Sequence, residues 1–391
     1  MTPAVLMVTR ELLDDRRYGL GRSLIPVITG LQGLGWKVRY LSQQDLSSAS
    51  QLWRAGWLVK LNKLPGIKNA AHRKLQLGAL AERLQMGWLA ARIAKKENFT
   101  AVHLHDPWIA CGFWIALKLL GLTGVRWGIA EHGYGCYSRA THEDGLTQGP
   151  RAQRFLRRVE ALVLSAANWV TSPTTLALDQ LARDLALPSK PAHWHAVPHI
   201  TSPGMTLGRD QARHNLGWST HDIYILGVGR LAPLKRFDIL VASFVDLAPA
   251  CPFLHLQLLG GGDQAQLQQM ANTAGVGDRL HFLLVDDVRP YLAAADIYVS
   301  TSATESFGLA NLEALAAGLP CICTAVGGVP EVMGVGAWLI PVDQAALTSA
   351  LVELIDHPEQ REKLAVRAAA QASRAPDPRS IAARYAQIFQ V

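Results

Sequence analysis

The sequence has few cysteines, and they show no pairing pattern. Its 391 residues include five cysteines, and no two of them form a CxxC motif. This odd count argues against a disulfide scaffold and against a zinc site, so we expect buried, reduced thiols in a cytosolic protein. Cys321 and Cys323 alternate within an apolar run, which predicts that both point to the same side of one strand.

Long apolar runs are also missing. Residues 108–122 form the longest one, but they include Lys118 and two glycines and fall short of the roughly 20 residues that span a bilayer. A buried helix explains this run better than a membrane segment. Residues 3–8 are too few for the apolar core of a signal peptide, so we expect them to form the first strand.

Three motifs of well-known catalytic sites are absent as well. The chain has no DxD pair, no GxSxG sequence and no P-loop lysine pattern. A metal held by paired aspartates is therefore not expected, and neither a serine-hydrolase elbow nor a P-loop is predicted.

Positive charge is abundant but unevenly spread. Residues 1–205 carry 25 Lys and Arg against 13 Asp and Glu, a balance of +12, whereas the rest of the chain carries 13 against 18, a balance of −5. This asymmetry suggests that the N-terminal half faces something anionic. Nucleic acid, a phosphorylated small molecule and an acidic membrane surface all fit.

Short aliphatic runs alternate with helical patterns along the chain. Ten runs are predicted to be strands: residues 4–9, 37–42, 101–105, 126–130, 169–172, 224–228, 254–259, 281–284, 297–300 and 321–324. Strands that alternate with helices form parallel sheets from right-handed βαβ units. The chain is about twice as long as a usual domain, which favours two domains of this kind.

The strand pattern restarts at Tyr224, after a turn-rich stretch over residues 197–204 that is the best candidate for an interdomain linker. The predicted fold class is therefore α/β, with two doubly wound, Rossmann-like parallel-sheet domains over residues 1–205 and 206–375. A ligand is expected in the cleft between them, at the carboxyl ends of the strands. Prolines predict a sharp break before a final helix, which occupies residues 376–391.

Residues 302–313, SATESFGLANLE, are the most informative stretch. They follow a predicted strand and open a helix near Gly308, so backbone N–H groups and the positive end of the helix dipole would form an anion site suited to a diphosphate. Glu305 and Glu313 would repel phosphate and instead suit hydroxyl groups, one on a sugar and one on a ribose. The alternative is an ordinary helix-terminal Glu and a solvated Glu.

Residues 227–238, GVGRLAPLKRFD, follow another predicted strand. Their glycines allow a ligand to approach the backbone closely, and Arg230 and Lys235 supply two cations for a diphosphate that acts as leaving group. The missing third glycine argues against a dinucleotide fingerprint. An ordinary charged surface loop would contain the same residues.

Two motifs of the N-terminal half are expected at the same cleft. Gly19 and Gly21 lie in a glycine-bearing turn over residues 18–23 that leads from the first strand into a helix, although such turns often serve packing alone. His132, next to Gly133, comes directly after a predicted strand. It is placed to contact a substrate, and a structural role is the alternative.

Residues 51–81 form a basic segment with spaced tryptophans. Residues 46–81 contain six Lys or Arg and no Asp or Glu, and Trp53 and Trp57 recur at helical spacing. This composition is typical of a helix that lies on an anionic membrane. It fits equally well a tryptophan stripe that packs on the domain core while the lysines point to water.

Taken together, these motifs resemble the retaining glycosyltransferases of family 4, which have the two-domain GT-B fold. The resemblance covers nearly the whole chain. It is carried by Glu305 and Glu313 with seven residues between them, by residues 327–331 (GGVPE), and by Arg230 and Lys235 in their glycine-bearing loop. The chain departs from the family's pattern at two places, with His199-Ile200 where Asn-Gly is common and Leu284 where glycine is usual.

The resemblance implies a role for each motif. Arg230 and Lys235 would hold the donor diphosphate, Glu313 would bind the ribose, and His132 would lie near the transferred sugar. The final helix would cross back onto the N-terminal domain. The implied catalytic residues are His132, Glu305, Arg230 and Lys235. The implied donor-binding residues are Gly19, Gly21, Arg230, Lys235, Glu305, Ser306, Phe307, Gly308, Leu309 and Glu313.

The resemblance also implies a reaction. It is front-face transfer with retained anomeric configuration, in which the leaving diphosphate helps to deprotonate the acceptor. The donor would be a nucleotide-sugar co-substrate, with UDP preferred, and neither a metal nor another cofactor is expected. The acceptor would be a lipid-linked or cell-surface glycan of the lipopolysaccharide or exopolysaccharide type, reached from the cytoplasm at the inner face of the cytoplasmic membrane.

Other functions remain open at this point. A glycosyltransferase with a soluble acceptor and a sugar-nucleotide epimerase would share the same fold, since fold does not determine function. A nucleic-acid-binding protein would use the basic N-terminal half. The acidic second half and the lack of a recognisable nucleic-acid-reading module argue against it.

Overall fold

A computed structural model describes residues 2–12, 19–48, 71–143, 149–200 and 207–390. The chain folds into two compact units: unit 1 comprises Met1–Ile200 and Pro376–Val391, and unit 2 comprises Thr201–Ala375. The division falls inside the turn-rich stretch over residues 197–204, of which residues 201–204 lie outside the described part.

Unit 1 is built on a six-stranded parallel sheet with the strand order β2-β1-β3-β4-β5-β6. Its strands are β1 (Ala4–Val8), β2 (Lys37–Leu41), β3 (Ala101–Leu104), β4 (Arg126–Ala130), β5 (Trp169–Ser172) and β6 (Trp194–Ala196). Its described helices are α1 (Gly19–Gly33), α2 (Ala71–Glu97), α3 (Pro107–Leu119), α4 (Tyr137–Glu143), α5 (Pro150–Ala166), α6 (Thr175–Asp184) and α15 (Pro378–Gln390). The central strands β1, β3 and β5 are buried along their whole length, as expected for parallel strands covered by helices.

Unit 2 contains a second six-stranded parallel sheet, in the order β12-β11-β10-β7-β8-β9. Its strands are β7 (Ile223–Val228), β8 (Leu254–Leu259), β9 (Leu280–Leu283), β10 (Ile297–Ser300), β11 (Cys321–Thr324) and β12 (Ala337–Ile340). Its described helices are α7 (Arg209–Leu216), α8 (Phe237–Leu247), α9 (Ala265–Thr273), α10 (Arg289–Ala294), α11 (Leu309–Ala316), α12 (Val329–Met333), α13 (Gln344–Asp356) and α14 (Pro358–Ala372). The two parallel sheets confirm the predicted α/β class.

The C-terminal helix α15 belongs to unit 1 and packs against α1. One face of α15 joins a core cluster that also contains Val5 and Met7 of β1; the face is formed by Ile381, Ala382, Tyr385, Ile388 and Phe389. The break before the helix falls in residues 373–377, where Asp377 Oδ1 accepts hydrogen bonds from two N–H groups of the first turn.

Strand β11 contains Cys321 and Cys323, which were predicted to be buried on the same side of one strand. All five cysteines are free thiols. Cys321 and Cys323 pack in one core cluster of unit 2 and Ile322 packs in the other, which confirms that the two cysteines share one side of the strand. Burial raises the pKa of both thiols, so they stay protonated at neutral pH.

Residues 51–70 of the basic segment lie outside the described part of the chain, and α2 begins at Ala71. Across the described ranges, no helix combines the length and the apolar composition that crossing a bilayer requires. Most of residues 108–122, predicted to be a buried helix, belong to α3, which ends at Leu119 and is buried on one face only, since Ile115 and Leu119 are exposed. The carboxylate of Asp106 caps its N-terminus.

Candidate active site

The loops that leave β7 and β10 meet at the carboxyl edge of the unit 2 sheet. These two strands are neighbours in the sheet, so their loops emerge side by side. The N–H of Ala303 donates to the carbonyl of Leu234 at 2.8 Å, and the hydroxyl of Thr301 donates to the carbonyl of Lys235 at 2.9 Å. The topology therefore brings the two predicted phosphate-binding segments, residues 227–238 and 302–313, into one place.

An ion pair links the same two loops. Nζ of Lys235 lies 2.5 Å from Oε2 of Glu305, and the side chains are only 23% and 17% exposed. Such a partly desolvated, charge-assisted hydrogen bond is stronger than a pair in open solvent. Both residues are predicted donor ligands, but their pairing is not evident from the sequence. A bound diphosphate would meet an ammonium group that Glu305 already holds in position.

Helix α11 begins directly after Gly308. This glycine has φ +79°, and a Cβ added to it would lie 2.5 Å from the side-chain nitrogen of Asn311, so both conformation and space require glycine. Among the described residues no side chain caps this helix end. Its first backbone N–H groups can therefore bind an anion. Phe307 is buried in the core beneath, while Ser306 and Leu309 are half-buried.

Glycines of the GGVPE segment support the backbone of Glu305. The N–H of Gly328 donates to the carbonyl of Glu305 at 2.9 Å. Gly327 has φ +56°, and a Cβ there would lie only 1.9 Å from the same carbonyl oxygen. The close approach explains why glycine stands at position 327, and it makes this segment part of what positions Glu305.

Arg230 and Glu313 complete the predicted set of unit 2. Arg230 follows Gly229, and its side chain is exposed. Gly229 itself packs tightly, since a Cβ on Gly260 would lie 2.0 Å from its carbonyl oxygen. Glu313 is half-buried in α11, one turn beyond the start of the helix.

A cavity of about 720 Å³ opens beside the loops that follow β8 and β9. Its lining includes Gly260, Asp263, Phe282 and Leu284. The volume falls in the range of small-molecule sites. Leu284, which stands where the resembling family usually has glycine, is largely exposed at this cavity.

In unit 1, His132 lies within a stack of imidazole rings. Its Nε2 is 2.9 Å from Nδ1 of His105, and the two rings are nearly parallel at 5.2 Å between centroids. His199 stacks on His132 at 5.5 Å. His103 lies 4.6 Å from His105 and accepts a hydrogen bond from the indole N–H of Trp169. Of these four histidines, only His132 is a predicted site residue.

Burial lowers the pKa of all four histidines. The pKa of His103 falls to about 3 and that of His199 to about 4. Burial also holds the pKa of His105 and His132 well below the usual value, and the neighbouring imidazoles add to the effect. His132 is therefore neutral at physiological pH and acts as a hydrogen-bonding group rather than as a cation.

Unit 1 also contains two buried carboxyl groups, and nothing in the sequence pattern predicts that they interact. Glu131 and Glu160 are 6% and 2% exposed. Burial raises the pKa of Glu160 to about 8 and that of Glu131 well above its usual value, and repulsion from Glu160 raises the pKa of Glu131 further. The N–H of Tyr137 donates to Glu160 at 2.7 Å. These groups shape the polar interior next to His132.

The glycine-bearing turn predicted over residues 18–23 is wrong in position. Helix α1 begins at Gly19, so Gly19 and Gly21 belong to its first turn, and Tyr18 lies outside the described residues. The helix starts earlier because glycine is tolerated in a first turn, where fewer intrahelical hydrogen bonds are at stake. Phosphate contact by these two glycines stays a prediction.

The structure thus places eight of the ten donor-binding candidates within unit 2, whereas His132 and the other two candidates, Gly19 and Gly21, belong to unit 1. In the described ranges, no group of three His, Cys, Asp or Glu side chains is arranged to hold a metal ion.

Comparison with known proteins identifies the fold and family. Two family models match: "Glycosyl transferase 4-like domain" over residues 19–199 and "Glycosyl transferases group 1" over residues 208–371. A similar relative is a D-inositol 3-phosphate glycosyltransferase from Rhodococcus opacus, 27% identical over 297 residues, which are 69% of this chain and 62% of that protein. The chain therefore spans less than two thirds of that relative's length.

Two solved structures resemble the chain over nearly its full length. HepE from Anabaena, in complex with UDP-glucose, is 17% identical, and the match covers 99% of each chain with a TM-score of 0.72. WaaG, a glycosyltransferase involved in lipopolysaccharide biosynthesis, is 18% identical over 98% of this chain and 99% of that chain, with a TM-score of 0.69. The chain is therefore an α/β protein with the GT-B fold.

The chain belongs to the family 4 type of glycosyltransferases, because a glycosyl transferase 4-like model matches its N-terminal half and a glycosyl transferases group 1 model matches its C-terminal half. This confirms the resemblance carried by Glu305, Glu313 and their neighbours. Membership favours a glycosyltransferase over the epimerase and the nucleic-acid-binding protein.

Proposed function

We propose that the protein moves a sugar from a nucleotide-sugar, with a UDP-sugar preferred, to a lipid-linked or cell-surface glycan. The observation that carries this proposal is the Lys235–Glu305 pair, because it ties the cation-bearing loop to the loop that opens α11. Two cations, a helix N-terminus and a carboxylate suited to ribose then lie on one sheet edge. The complex of HepE with UDP-glucose supports UDP as the nucleotide.

In the proposed reaction the acceptor hydroxyl attacks the anomeric carbon from the face on which the diphosphate leaves. The bond from that carbon to the diphosphate oxygen breaks, the bond to the acceptor oxygen forms, and the acceptor proton passes to the diphosphate. The anomeric configuration is retained. Arg230 and Lys235 balance the charge that develops on the diphosphate, which is the main source of catalysis in this scheme and requires no metal.

The remaining residues position the donor. Glu313 accepts hydrogen bonds from the ribose, and Glu305 together with the N–H groups of residues 307–309 contacts the transferred sugar and the phosphate. His132 supplies a neutral imidazole or its backbone carbonyl to the reacting sugar. Its lowered pKa supports a neutral role. Gly19 and Gly21 let the start of α1 approach the phosphates.

Two acceptor classes compete. WaaG acts in lipopolysaccharide biosynthesis, which supports a lipid-linked glycan and a site of action at the inner face of the cytoplasmic membrane, with residues 51–81 as one contact to anionic lipid. The relative from Rhodococcus is named for D-inositol 3-phosphate, which supports a soluble phosphorylated acceptor instead. The excess of positive charge in residues 1–205 suits either one.

A transfer assay tests the proposal and separates the acceptors. The chain is incubated with a radiolabelled UDP-sugar and either a detergent-dispersed lipid-linked glycan or a water-soluble sugar phosphate. We expect label on the lipid-linked glycan, and a loss of roughly ten- to a hundredfold in kcat/KM for Glu313→Ala, the usual cost of a lost hydrogen bond to a charged group. Arg236→Gln, which removes an exposed cation beside Lys235, is the control and should retain activity.

Label on the soluble acceptor alone would replace the lipid-linked class by the soluble one. Equal transfer by the wild type and Glu313→Ala would contradict the assignment of the donor site.

A further inference from the structure

Helix α5 of unit 1 has an unusual outward face. Its inward face packs into the unit 1 core through Val163 and Leu164 and through the partly buried Leu156. On the opposite side, Phe155 and Leu162 are 62% and 61% exposed. They are seven residues apart, which is two helical turns, so they lie on the same side of the helix. Two large apolar side chains exposed on the same side of one helix form an apolar patch, and such a patch often marks an interaction site.

Arginines surround this apolar pair. Arg151, Arg154, Arg157 and Arg158 are all exposed, and Arg151 and Arg158 stand four residues before Phe155 and Leu162 respectively. Within the described part of the chain, none of the four pairs with a carboxylate; Arg154 donates only to the carbonyl of Pro150. The single acidic residue of α5, Glu160, is buried on the inward face. Among the described residues, the outward face therefore carries four positive charges that no carboxylate pairs with.

The neighbouring helix α3 has the same character. It packs against α5, contains no acidic residue, and exposes Ile115 and Leu119 together with Lys118. Two adjacent helices thus present large apolar side chains among cations and no anion.

We propose that the outward face of α5 docks on an anionic lipid surface, with Phe155 and Leu162 entering the interface and the arginines contacting headgroup phosphates. Charge decides between occupants. A second copy of this chain would set four arginines against four arginines, whereas an anionic bilayer offers a layer of negative charge and an apolar boundary at once. The inference rests on the proposed lipid-linked acceptor for its purpose, since docking would hold unit 1 where such an acceptor resides. It is separate from any contribution of residues 51–81.

Vesicle co-sedimentation tests this face without catalysis. The full chain is mixed with vesicles of phosphatidylcholine alone or of phosphatidylcholine and phosphatidylglycerol, at low and high salt. We expect binding only to the anionic vesicles, weakened by salt. Phe155→Ser with Leu162→Ser should weaken binding by at least about tenfold. Arg151→Gln, Arg154→Gln and Arg158→Gln together should weaken it by on the order of a hundredfold.

Matched controls come from exposed residues elsewhere. Val366→Ser removes a side chain that is 65% exposed on α14, and Lys363→Gln, Arg374→Gln and Arg379→Gln remove three exposed cations. Both control variants should lose less of their binding to anionic vesicles than the α5 variants do. Equal binding by the wild type and the α5 variants would overturn the proposal, as would equal binding to neutral vesicles.

Two further readouts keep other causes apart. Thermal unfolding shows whether each variant is folded, and sedimentation without vesicles shows whether the α5 variants lose a dimer, which would assign the face to a second copy and overturn the proposal. Donor turnover on a detergent-dispersed acceptor should be unchanged in the α5 variants. If neither the wild type nor any variant transfers sugar, the proposed function fails. The vesicle result still shows whether the outward face of α5 binds anionic lipid.

Discussion

Lys235 and Glu305 illustrate what a single contact adds to a motif. Each residue alone could be an ordinary surface charge. Their 2.5 Å ion pair joins segments 70 residues apart in sequence. Because both side chains are partly buried, water screens the pair less than it screens an exposed one. Neither the spacing nor the composition of the two motifs predicts this pair, because it depends on β7 and β10 being neighbours in the sheet. The two motifs predict both residues as donor ligands, but they do not predict that the two support each other.

Gly327 gives a prediction at this scale. In Gly327→Ala the new methyl group would overlap the carbonyl of Glu305, so we expect a loss of stability about 1–3 kcal/mol beyond that of the control, and a donor affinity at least about tenfold weaker. The control is Gly318→Ala. Gly318 has a similar φ of +72°, but a Cβ there meets nothing within 4 Å, so only a backbone penalty of about 1–2 kcal/mol is expected.

Thermal unfolding with and without a UDP-sugar measures both quantities for each variant. Equal donor affinity in the two variants would show that Gly327 does not position Glu305.

At the scale of elements, most of the fold was predictable and the exceptions have physical causes. All ten predicted strands are present within one or two residues at each end. Two strands were missed, β6 (Trp194–Ala196) and β12 (Ala337–Ile340). Both lie at the edge of their sheet, and β6 has only three residues, too few to show the periodicity on which prediction relies. The start of α1 was misplaced because glycine reads as a turn signal even where a first helical turn accepts it.

The contact between α1 and α15 provides a prediction for elements. Gly30 lies at their crossing, where an added Cβ would come within 2.5 Å of the Cβ of Ala382. Gly30→Leu should therefore force the helices apart and destabilise unit 1 by about 1–3 kcal/mol, the usual cost of overpacking. Gly33→Leu, in the same helix with nothing within 4 Å of its added Cβ, should leave stability unchanged or raise it by up to about 1 kcal/mol.

Chemical denaturation followed by tryptophan fluorescence compares these two variants with the wild type. Equal stability of Gly30→Leu and Gly33→Leu would mean that α15 is not held by close packing at this crossing.

At the scale of the whole molecule, charge and chemistry divide between the two halves of the chain. The donor-site candidates other than Gly19 and Gly21 belong to unit 2, whose half of the sequence is acidic overall, and their cations are concentrated in one loop. The half that contains most of unit 1 is basic. Its polar interior contains neutral histidines and carboxyl groups whose pKa is raised, rather than charged side chains. This division fits a transferase in which one unit binds the nucleotide-sugar and the other meets an anionic acceptor or surface.

Calorimetric titration of the intact chain with UDP tests the central claim, that unit 2 binds the nucleotide diphosphate through Lys235 and Glu313. The account predicts that the wild type binds UDP and that Lys235→Ala and Glu313→Ala each weaken binding by roughly ten- to a hundredfold. Arg236→Gln should bind as the wild type does. Equal affinity of all four proteins for UDP, or no binding of UDP by the wild type, would contradict the account.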